Sequence, residues 1–290
     1  MRLTTKFNLV LFIVFSIGLA FAGYTSYTVL QKHAREEVLT HAGMMMEAAM
    51  AIRGYTVKEI RPLLTLQMKR EFLPQSVPSY AATQNFQAVR EMYPEYTYKE
   101  ASLNPTNPRD RATDWEADII QVFRNDPETR EISGERETPL GRSLYYARPI
   151  KIVDKGCLTC HSTIEAAPET MLKLYGSSNG FGWQLGDIVG TQVVSVPLAV
   201  PLAKAREEFT IFMASLIAIF AVIFVLINIM LGQIVVKRVR AMAHTADEIS
   251  TGNMEVPEFG VKGRDEITDL GRSFNRMRRS LEKAMQMLGE

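Results

Sequence analysis

Two long runs of apolar residues are separated by a polar middle region. Residues 7–24 (FNLVLFIVFSIGLAFAGY) and 209–236 contain no charged side chain, and a membrane-spanning helix needs about 20 such residues. We therefore predict transmembrane helices at 7–30 and 209–236. Arg2, Lys6 and the sequence Ala20-Phe21-Ala22 would also suit a signal peptide with a cleavage site. Because the helical pattern continues past residue 24, we expect an uncleaved anchor.

The region between the two apolar runs contains both helical and strand-like patterns. Residues 27–73 have a helical pattern that ends at Pro74 and Pro78. Runs of β-branched or alternating residues follow further along the chain, and they are typical of strands. The middle region, residues 31–207, is therefore predicted to be one α+β domain with an antiparallel sheet and flanking helices. The predicted strands are 96–103, 145–153 and 188–197, and the predicted helices are 79–92 and 114–125.

After the second apolar run, two short segments repeat apolar residues with 3-4 spacing, which is the pattern of a coiled-coil seam. The first seam contains Val239, Met242, Ala246 and Ile249, and the second runs from Ile267 to Leu288. Residues 251–264 between them are rich in glycine and contain a proline, so they cannot be helical. Two short helices cannot bury such seams alone. We expect residues 237–290 to form a four-helix bundle in a homodimer, with the membrane helices also paired.

Charge predicts the orientation in the membrane. Arg2 and Lys6 precede the first run, and Lys237, Arg238 and Arg240 follow the second, so both ends belong on the cytoplasmic side. The protein is then a two-pass protein of the bacterial inner membrane, with residues 1–6 and 237–290 in the cytoplasm. With 33 basic and 32 acidic residues the net charge is +1, which gives no indication of nucleic-acid binding.

Residues 157–161 (CLTCH) form a C-x-x-C-H motif, the attachment sequence of a c-type haem. In such a site the thiols of Cys157 and Cys160 add to the haem vinyl groups, and His161 becomes the proximal iron ligand. Bacteria attach haem c to exported proteins, which agrees with the predicted location of residues 31–207. The motif therefore predicts one covalent haem c outside the cytoplasm.

A zinc site and a redox dithiol are the alternative uses of a C-x-x-C motif. The chain has only these two cysteines, so a zinc site would need two further ligands. A redox dithiol of the thioredoxin type usually opens a helix after a strand in a βαβ unit, and the surrounding sequence does not have that pattern. The remaining histidines are His33, His41 and His244.

The tail resembles a HAMP module. The resemblance is carried by residues 248–253 (EISTGN), by Asp265-Glu266-Ile267 and by residues 274–277 (FNRM), and it covers residues 233–288. HAMP modules connect membrane helices to cytoplasmic outputs in sensor kinases and chemoreceptors. The alternative is an ordinary short coiled coil. The tail after residue 236 is too short for an enzyme domain, so we expect a separate cytoplasmic protein to receive the output.

Several short sequence segments of the middle region are similar to those of a PAS-like c-type haem sensor family. The resemblance spans most of residues 40–200 and implies a PAS-like sheet, one haem c and a redox-sensing role. The segments that carry it, besides the C-x-x-C-H motif, are residues 53–56 (RGYT), 60–64 (IRPLL), 104–108 (NPTNP), 115–116 (WE), 146–150 (YARPI), 167–168 (AP), 175–176 (YG), 180–183 (GFGW) and 194–197 (VSVP).

The resemblance also implies that the sixth iron ligand comes from the N-terminal helix, where some relatives use a cysteine. This chain has no cysteine there. Met46 and Met50, which share one helical face, are the leading candidates, and a thioether would give a higher reduction potential than a second imidazole. A site without a sixth ligand remains an alternative. The other candidates on this helix are His41, Met44 and Met45.

Further contacts to the haem follow from side-chain chemistry and from proximity to the motif. Arginine has a planar guanidinium that suits the haem propionates. Aromatic side chains suit the wall of a haem pocket, although core packing would explain them equally well. We predict Arg53, Arg61 and Arg148 as propionate ligands, and Tyr146, Phe181 and Trp183 as the wall.

Two functions are consistent with these features. In the first, a change of redox or ligand state at the haem passes through the membrane helices to the HAMP-like bundle and then to its cytoplasmic partner. In the second, the chain is a membrane-anchored electron-transfer subunit of a respiratory or photosynthetic complex, and its partner is a redox protein. A direct chain connection between the sheet, the second apolar run and the bundle favours the first. Because no catalytic constellation is recognisable, we do not expect an enzyme.

Overall fold

The computed structural model describes residues 3–139, 141–253, 255–260 and 262–288. The chain divides into two compact units. One unit is Tyr27–Glu208, and the other combines the residues up to Ser26 with those from Phe209 onward.

Within the described part of Tyr27–Glu208, four strands form one antiparallel sheet in the order β1-β4-β3-β2. Its register sets Glu100, Gln192 and Arg148 side by side on β1, β4 and β3. Because alternate residues of a strand point to opposite faces, these three share a face with Tyr98 and Tyr146. The strands are β1 (Thr97–Ser102), β2 (Ile132–Thr138), β3 (Gly141–Lys151) and β4 (Ile188–Pro197).

Helices surround this sheet and continue into the second unit. A π-helical turn, Thr56–Ile60, separates the first two helices, and another, Leu231–Val236, follows the helix Ala199–Met230. Short 3-10 turns occur at Gln67–Lys69, Pro74–Ser76 and Pro108–Asp110. The α-helices are α1 (Leu3–Tyr55), α2 (Arg61–Leu64), α3 (Pro78–Met92), α4 (Asp114–Asn125), α5 (Lys155–His161), α6 (Glu169–Tyr175), α7 (Ala199–Met230), α8 (Lys237–Ser250) and α9 (Glu266–Leu288).

Helix α1 covers one face of the sheet. Its buried residues Val38, Ala42, Met46 and Ala49 recur every three or four positions, as expected for one helical face. They pack in a single cluster with apolar residues of α3 and of the strands, including Phe86, Tyr98, Leu144, Tyr146 and Val194. This cluster is the main core of the unit.

Helix α4 covers the opposite face. Its first turn has a capping box, in which the backbone N–H of Thr113 donates to Glu116 Oε2 at 2.8 Å. The same carboxylate accepts a 2.6 Å hydrogen bond from Lys99 of β1, which ties the helix start to the sheet. Further along α4, Ile119 and Phe123 pack against apolar residues of β3 and β4.

Two helical runs are long and apolar enough to cross a membrane. Counting the adjoining π-helical turns, they are Thr4–Leu64 and Ala199–Ser250. Large apolar side chains such as Phe12, Ile17 and Phe21 are exposed on the first run, and soluble surfaces seldom leave so much apolar area uncovered. Phe15 stacks on Phe220 with ring centroids 4.8 Å apart.

The segment after α7 consists of two helices, α8 and α9, and a non-helical connector. Arg238 of α8 donates to Asp265, just before α9, and also to Thr268 Oγ1 at 2.8 Å. Asp265 caps α9 by accepting from the Thr268 N–H at 2.8 Å. Within the connector, the backbone of Phe259 is held by the amide of Asn275, which accepts from its N–H at 3.0 Å and donates to its carbonyl at 2.9 Å.

Most predicted elements occur near their predicted positions, but several differ. The segments β2, α5 and α6 were not predicted. The helix predicted over 27–73 is interrupted at the π-helical turn and ends at Leu64. Pro62 explains this interruption, because it has no N–H to donate to the carbonyl of Lys58 and an α-helix cannot continue unchanged across it.

Candidate functional site

Helix α5 carries the C-x-x-C-H motif. Asp154 begins it by accepting a hydrogen bond from the N–H of Gly156 at 2.8 Å, a favourable N-cap. Cys157 and Cys160 are then three residues apart and lie on one face of the helix. Both are free thiols and half-buried. Burial raises the pKa of both thiols, so they stay protonated near neutral pH.

His161 at the end of α5 has a defined orientation. Its Nδ1 lies 2.7 Å from the carbonyl oxygen of Gly180. A carbonyl only accepts hydrogen bonds, so Nδ1 carries the proton and Nε2 has the free lone pair. Burial lowers the pKa of His161, which favours the neutral ring. Nε2 is therefore the atom available to a metal.

A glycine-rich loop, residues 180–183, holds this histidine in place. The N–H groups of Gly182 and Trp183 donate to the carbonyls of Ser162 and His161, at 2.9 and 3.1 Å. The Trp183 ring stacks on the imidazole with centroids 4.0 Å apart and planes 15° from parallel. The imidazole is thus fixed by its Nδ1 hydrogen bond and by one ring face.

Gly180 cannot be replaced without disturbing this loop. Its φ is +87°, and a Cβ built on it would lie 2.0 Å from Thr106 Oγ1 and 3.0 Å from Thr106 Cα. Both the backbone conformation and the space exclude a side chain. Thr106 Oγ1 also lies 3.5 Å from His161 Nδ1. Thr106 is therefore in contact with both the loop and the histidine.

The three predicted propionate arginines have different surroundings. Arg53 ion-pairs with Glu100 of β1. Burial alone would lower the pKa of Arg53, but Glu100 raises it above its ordinary value. Arg148 donates to Glu47 of α1 at 2.6 Å and to the Tyr146 hydroxyl at 3.0 Å.

Arg61 differs from both of them. Its guanidinium makes no hydrogen bond or ion pair within the part of the chain that the structure describes. Its charge nonetheless acts on both thiols, because it lowers the pKa of Cys157 and of Cys160 against the larger effect of burial. Arg53 acts in the same way on Cys157 alone. Among the three predicted propionate arginines, Arg61 is therefore the one without a partner in the described part of the chain.

The methionines of α1 are also distinguished by their environment. Met46 is 0% exposed and belongs to the apolar cluster under α1. Met50, one turn before Arg53, is 42% exposed, and its Sδ accepts a 3.4 Å hydrogen bond from Gln192 of β4. Met44 is exposed, whereas Met45 packs against the cluster and His41 is half-buried. Of the two leading candidates, Met50 is therefore the exposed residue and Met46 the buried one.

The predicted wall residues lie in three places. Phe181 packs in the same cluster as Cys160, and Trp183 stacks on His161. Tyr146 instead belongs to the cluster under α1, and its hydroxyl donates to Glu131. The role of all three as wall residues stays a prediction.

Sequence reasoning missed several residues that the structure brings to the motif. The Gly180 carbonyl and Thr106 both contact the His161 ring, and the segments 180–183 and 104–108 were the signals for them. Cys160 also packs with Phe72 and Met171, and no local pattern pointed to these two residues.

Comparisons with known proteins match two parts of the chain. A family model described as Tll0287-like matches residues 31–197, and a HAMP domain model matches residues 230–283. The crystal structure of the cyanobacterial heme-protein Tll0287 is 18% identical; the match covers 56% of this chain and 95% of that chain, with a TM-score of 0.44. No curated protein matches. Because the Tll0287-like model covers more than half of the chain, the protein belongs to the Tll0287-like family, and a HAMP domain follows its second apolar helix.

Proposed function

We propose that the protein is a two-pass sensor of the bacterial inner membrane. In this proposal residues 31–207 bind one covalent haem c outside the cytoplasm, and the redox state of that haem is relayed to the HAMP domain at 237–290. A separate cytoplasmic protein receives the output. The proposal assigns no catalytic residue.

The orientation of His161 is the observation that carries this proposal. Its Nδ1 hydrogen bond to Gly180 leaves Nε2 free, which is how ligating histidines are usually held by their second nitrogen. Two half-buried thiols on the preceding turn and an arginine beside them also suit haem. Cys157 and Cys160 would form the thioether bonds, His161 would bind the iron, and Arg61 would bind a propionate.

Met50 is the residue we propose as the sixth ligand. It lies on the helical turn before Arg53, and the Arg53 charge reaches Cys157, so this part of α1 lies close to the motif. When bound, haem would supply an iron centre that takes up or releases one electron. We propose that a one-electron carrier protein donates or accepts this electron. Met50 would close the iron site and favour the ferrous state through its thioether.

Helix α1 gives this site a connection to the membrane. The same helix, Leu3–Tyr55, contains the apolar run 7–24 and the residues Met50 and Arg53. At the other end of the chain, HAMP domains typically work as dimers, and α9 carries Leu270 and Met277 of its predicted seam exposed. Phe15 of α1 stacks on Phe220 of α7, so a small displacement of α1 would pass to α7 and bias the pairing of a two-state bundle.

Optical spectra of the detergent-purified full chain test the haem assignment. We expect a covalently bound haem with a six-coordinate, low-spin spectrum that does not change with carbon monoxide when reduced. Met50→Ala should open the site to carbon monoxide. Met44→Leu, which removes an exposed sulfur from the same helix, is the matched control and should leave the spectrum unchanged. Preparations without covalent haem would refute the proposal.

Cross-linking in the HAMP domain separates a sensor from an electron carrier. Leu270→Cys adds a thiol to the predicted seam. This thiol would be the one that reacts, because both native cysteines would be bound to haem. A bis-maleimide reagent should link two copies at rates that differ between oxidised and reduced haem. Met285→Cys, outside the seam, is the control. Equal rates in the two redox states would favour the electron-transfer alternative.

A further inference from the structure

A row of polar contacts fixes α1 to the face of the sheet that it covers. Glu47, Met50 and Arg53 are three residues apart on one side of the helix. Glu47 pairs with Arg148 of β3, Met50 with Gln192 of β4, and Arg53 with Glu100 of β1. These partners lie side by side across three strands.

The chemistry of Glu100 sets the direction of every hydrogen bond in this row. Glu100 is only 5% exposed, and an ionised carboxylate can only accept hydrogen bonds. Arg53 donates to its Oε2, and the hydroxyl of Tyr98 donates to its Oε1 at 2.8 Å. Burial raises the pKa of Tyr98, so the phenol keeps the proton that it donates.

Because the Tyr98 proton points to Glu100, the phenol oxygen is left as an acceptor. Gln192 Nε2 lies 3.0 Å from that oxygen and 3.4 Å from Met50 Sδ. An amide that faced Tyr98 with its carbonyl would find no proton there, so the network assigns the NH2 group to this side. One N–H then donates to Tyr98, and the other donates to the sulfur. Gln192 is itself 4% exposed, so water does not compete freely for it.

We propose that Gln192, oriented by Tyr98, Glu100 and Arg53, is a positioning residue for Met50 and raises the reduction potential of the haem. This inference rests on the proposed function, in which Met50 is the sixth ligand. A thioether sulfur has two lone pairs, one for iron and one for the N–H of Gln192. The hydrogen bond holds the sulfur in place and withdraws electron density from it. Weaker donation by the sulfur destabilises ferric iron more than ferrous iron, and hydrogen bonds near the axial ligand are an accepted means of tuning a haem.

Reduction potentials of the haem-loaded full chain, titrated with a soluble reductant and mediators, test this inference. Gln192→Leu removes the donor and should lower the potential. It should also shift the near-infrared charge-transfer band of methionine-bound ferric haem. Imidazole, which competes for the sixth position, should bind about fivefold more tightly, since one hydrogen bond contributes about 1 kcal/mol.

Tyr98→Phe and Tyr145→Phe form a matched pair. Tyr98→Phe releases the Gln192 amide from its anchor and should shift the potential in the same direction by a smaller amount. Tyr145 lies on the opposite face of the sheet against Trp115, so its hydroxyl can be removed without affecting the hydrogen bonds of Gln192. We expect Tyr145→Phe to keep the parental potential.

The results separate this inference from the proposed function. If Met50→Ala changes the spectrum but Gln192→Leu and Tyr98→Phe keep the parental potential, the positioning role of Gln192 is refuted and the ligand assignment stands. If Met50→Ala has the parental spectrum, the ligand assignment is refuted, and the positioning role of Gln192 is refuted with it. Should Gln192→Leu yield no haem-loaded protein, the comparison of Tyr98→Phe with Tyr145→Phe decides the question.

Discussion

Replacing Gly180 by alanine should loosen the hold of the protein on His161. The added Cβ would lie 2.0 Å from Thr106 Oγ1 and 3.0 Å from Thr106 Cα, so the loop must move away from Thr106. The carbonyl that accepts from His161 Nδ1 moves with it. We expect the variant to be less stable and to contain a larger fraction of high-spin haem, because the proximal ligand is no longer held in one orientation.

Gly182 supplies the control for the size of this effect. Its φ is +82°, close to that of Gly180, but no atom lies within 4 Å of a Cβ built there. Gly182→Ala should therefore cost only the backbone strain, about 1–2 kcal/mol. Gly180→Ala should cost the same strain and about 2 kcal/mol more for the overlap. For a domain of this size, the additional cost lowers the melting temperature by roughly 4–8 °C.

Thermal melting of the full chain in detergent, followed by haem absorbance, measures this difference. Adding Thr106→Ala to Gly180→Ala removes the Oγ1 and should recover part of the loss, whereas the Thr106 Cα remains close. If the two glycine variants melt within about 2 °C of each other, a gap smaller than the expected one, the contact between Gly180 and Thr106 does not position the loop.

Three further predictions concern other parts of the chain. Arg53→Leu leaves the buried Glu100 without its cation and should lower the free energy of unfolding by about 3 kcal/mol. This is the low end for buried pairs, because Arg53 keeps 24% of its side chain exposed. Adding Glu100→Gln should restore part of the melting temperature. Replacing Cys157 and Cys160 by alanine should abolish the haem that stays with the denatured chain, as measured by absorbance after acid extraction. Leu270→Glu places like charges in the predicted seam and should reduce dimer formation, as measured by sedimentation in detergent.

Two of these predictions have a control that changes a similar residue elsewhere. Arg70→Leu removes an exposed arginine and should melt with the parent. Met285→Glu alters an exposed apolar residue of α9 outside the seam and should leave the dimer intact. A melting temperature of Arg53→Leu equal to that of Arg70→Leu would contradict the ion-pair argument. Acid-resistant haem in the double alanine variant would contradict covalent attachment through the motif.

The fold was predictable where local signals and burial agree. Helix α4 and strand β4 have the predicted bounds, 114–125 and 188–197, because a capping box marks the start of the helix and an apolar run marks the strand. Strand β2 (ISGERET) is an edge strand with partly exposed, polar residues. It has no strand pattern of its own and forms through its pairing with β3. Helices α5 and α6 have 7 residues each, too few for a periodic pattern to be recognised.

The candidate site was predictable only where its residues are contiguous in the sequence. Cys157, Cys160 and His161 form a contiguous motif, so spacing alone identifies them. The hydrogen bond that orients His161 comes from a carbonyl 19 residues away, and a backbone carbonyl has no sequence signature. Likewise, Gln192 approaches Met50 from a position 142 residues later in the chain. Such contacts depend on strand order and helix placement, which periodicity does not specify.

The π-helical turn at Thr56–Ile60 sets the angular phase of the helix that carries the two arginines beside the motif. Arg53 and Arg61 are eight residues apart, and at about 100° per residue an uninterrupted α-helix would point them about 80° apart. A π-helical turn takes up one extra residue, so the pair behaves as if seven apart, within about 20° of two full turns. The two arginines therefore lie on one side of the helix, in agreement with the common effect of their charges on the pKa of Cys157. Deleting a single residue from this turn would leave the two arginines seven residues apart on ordinary α-helix and keep their common direction. Converting the turn to α-helix without a deletion would instead rotate Arg53 away from Arg61 by about one α-helical step, with both arginines still present.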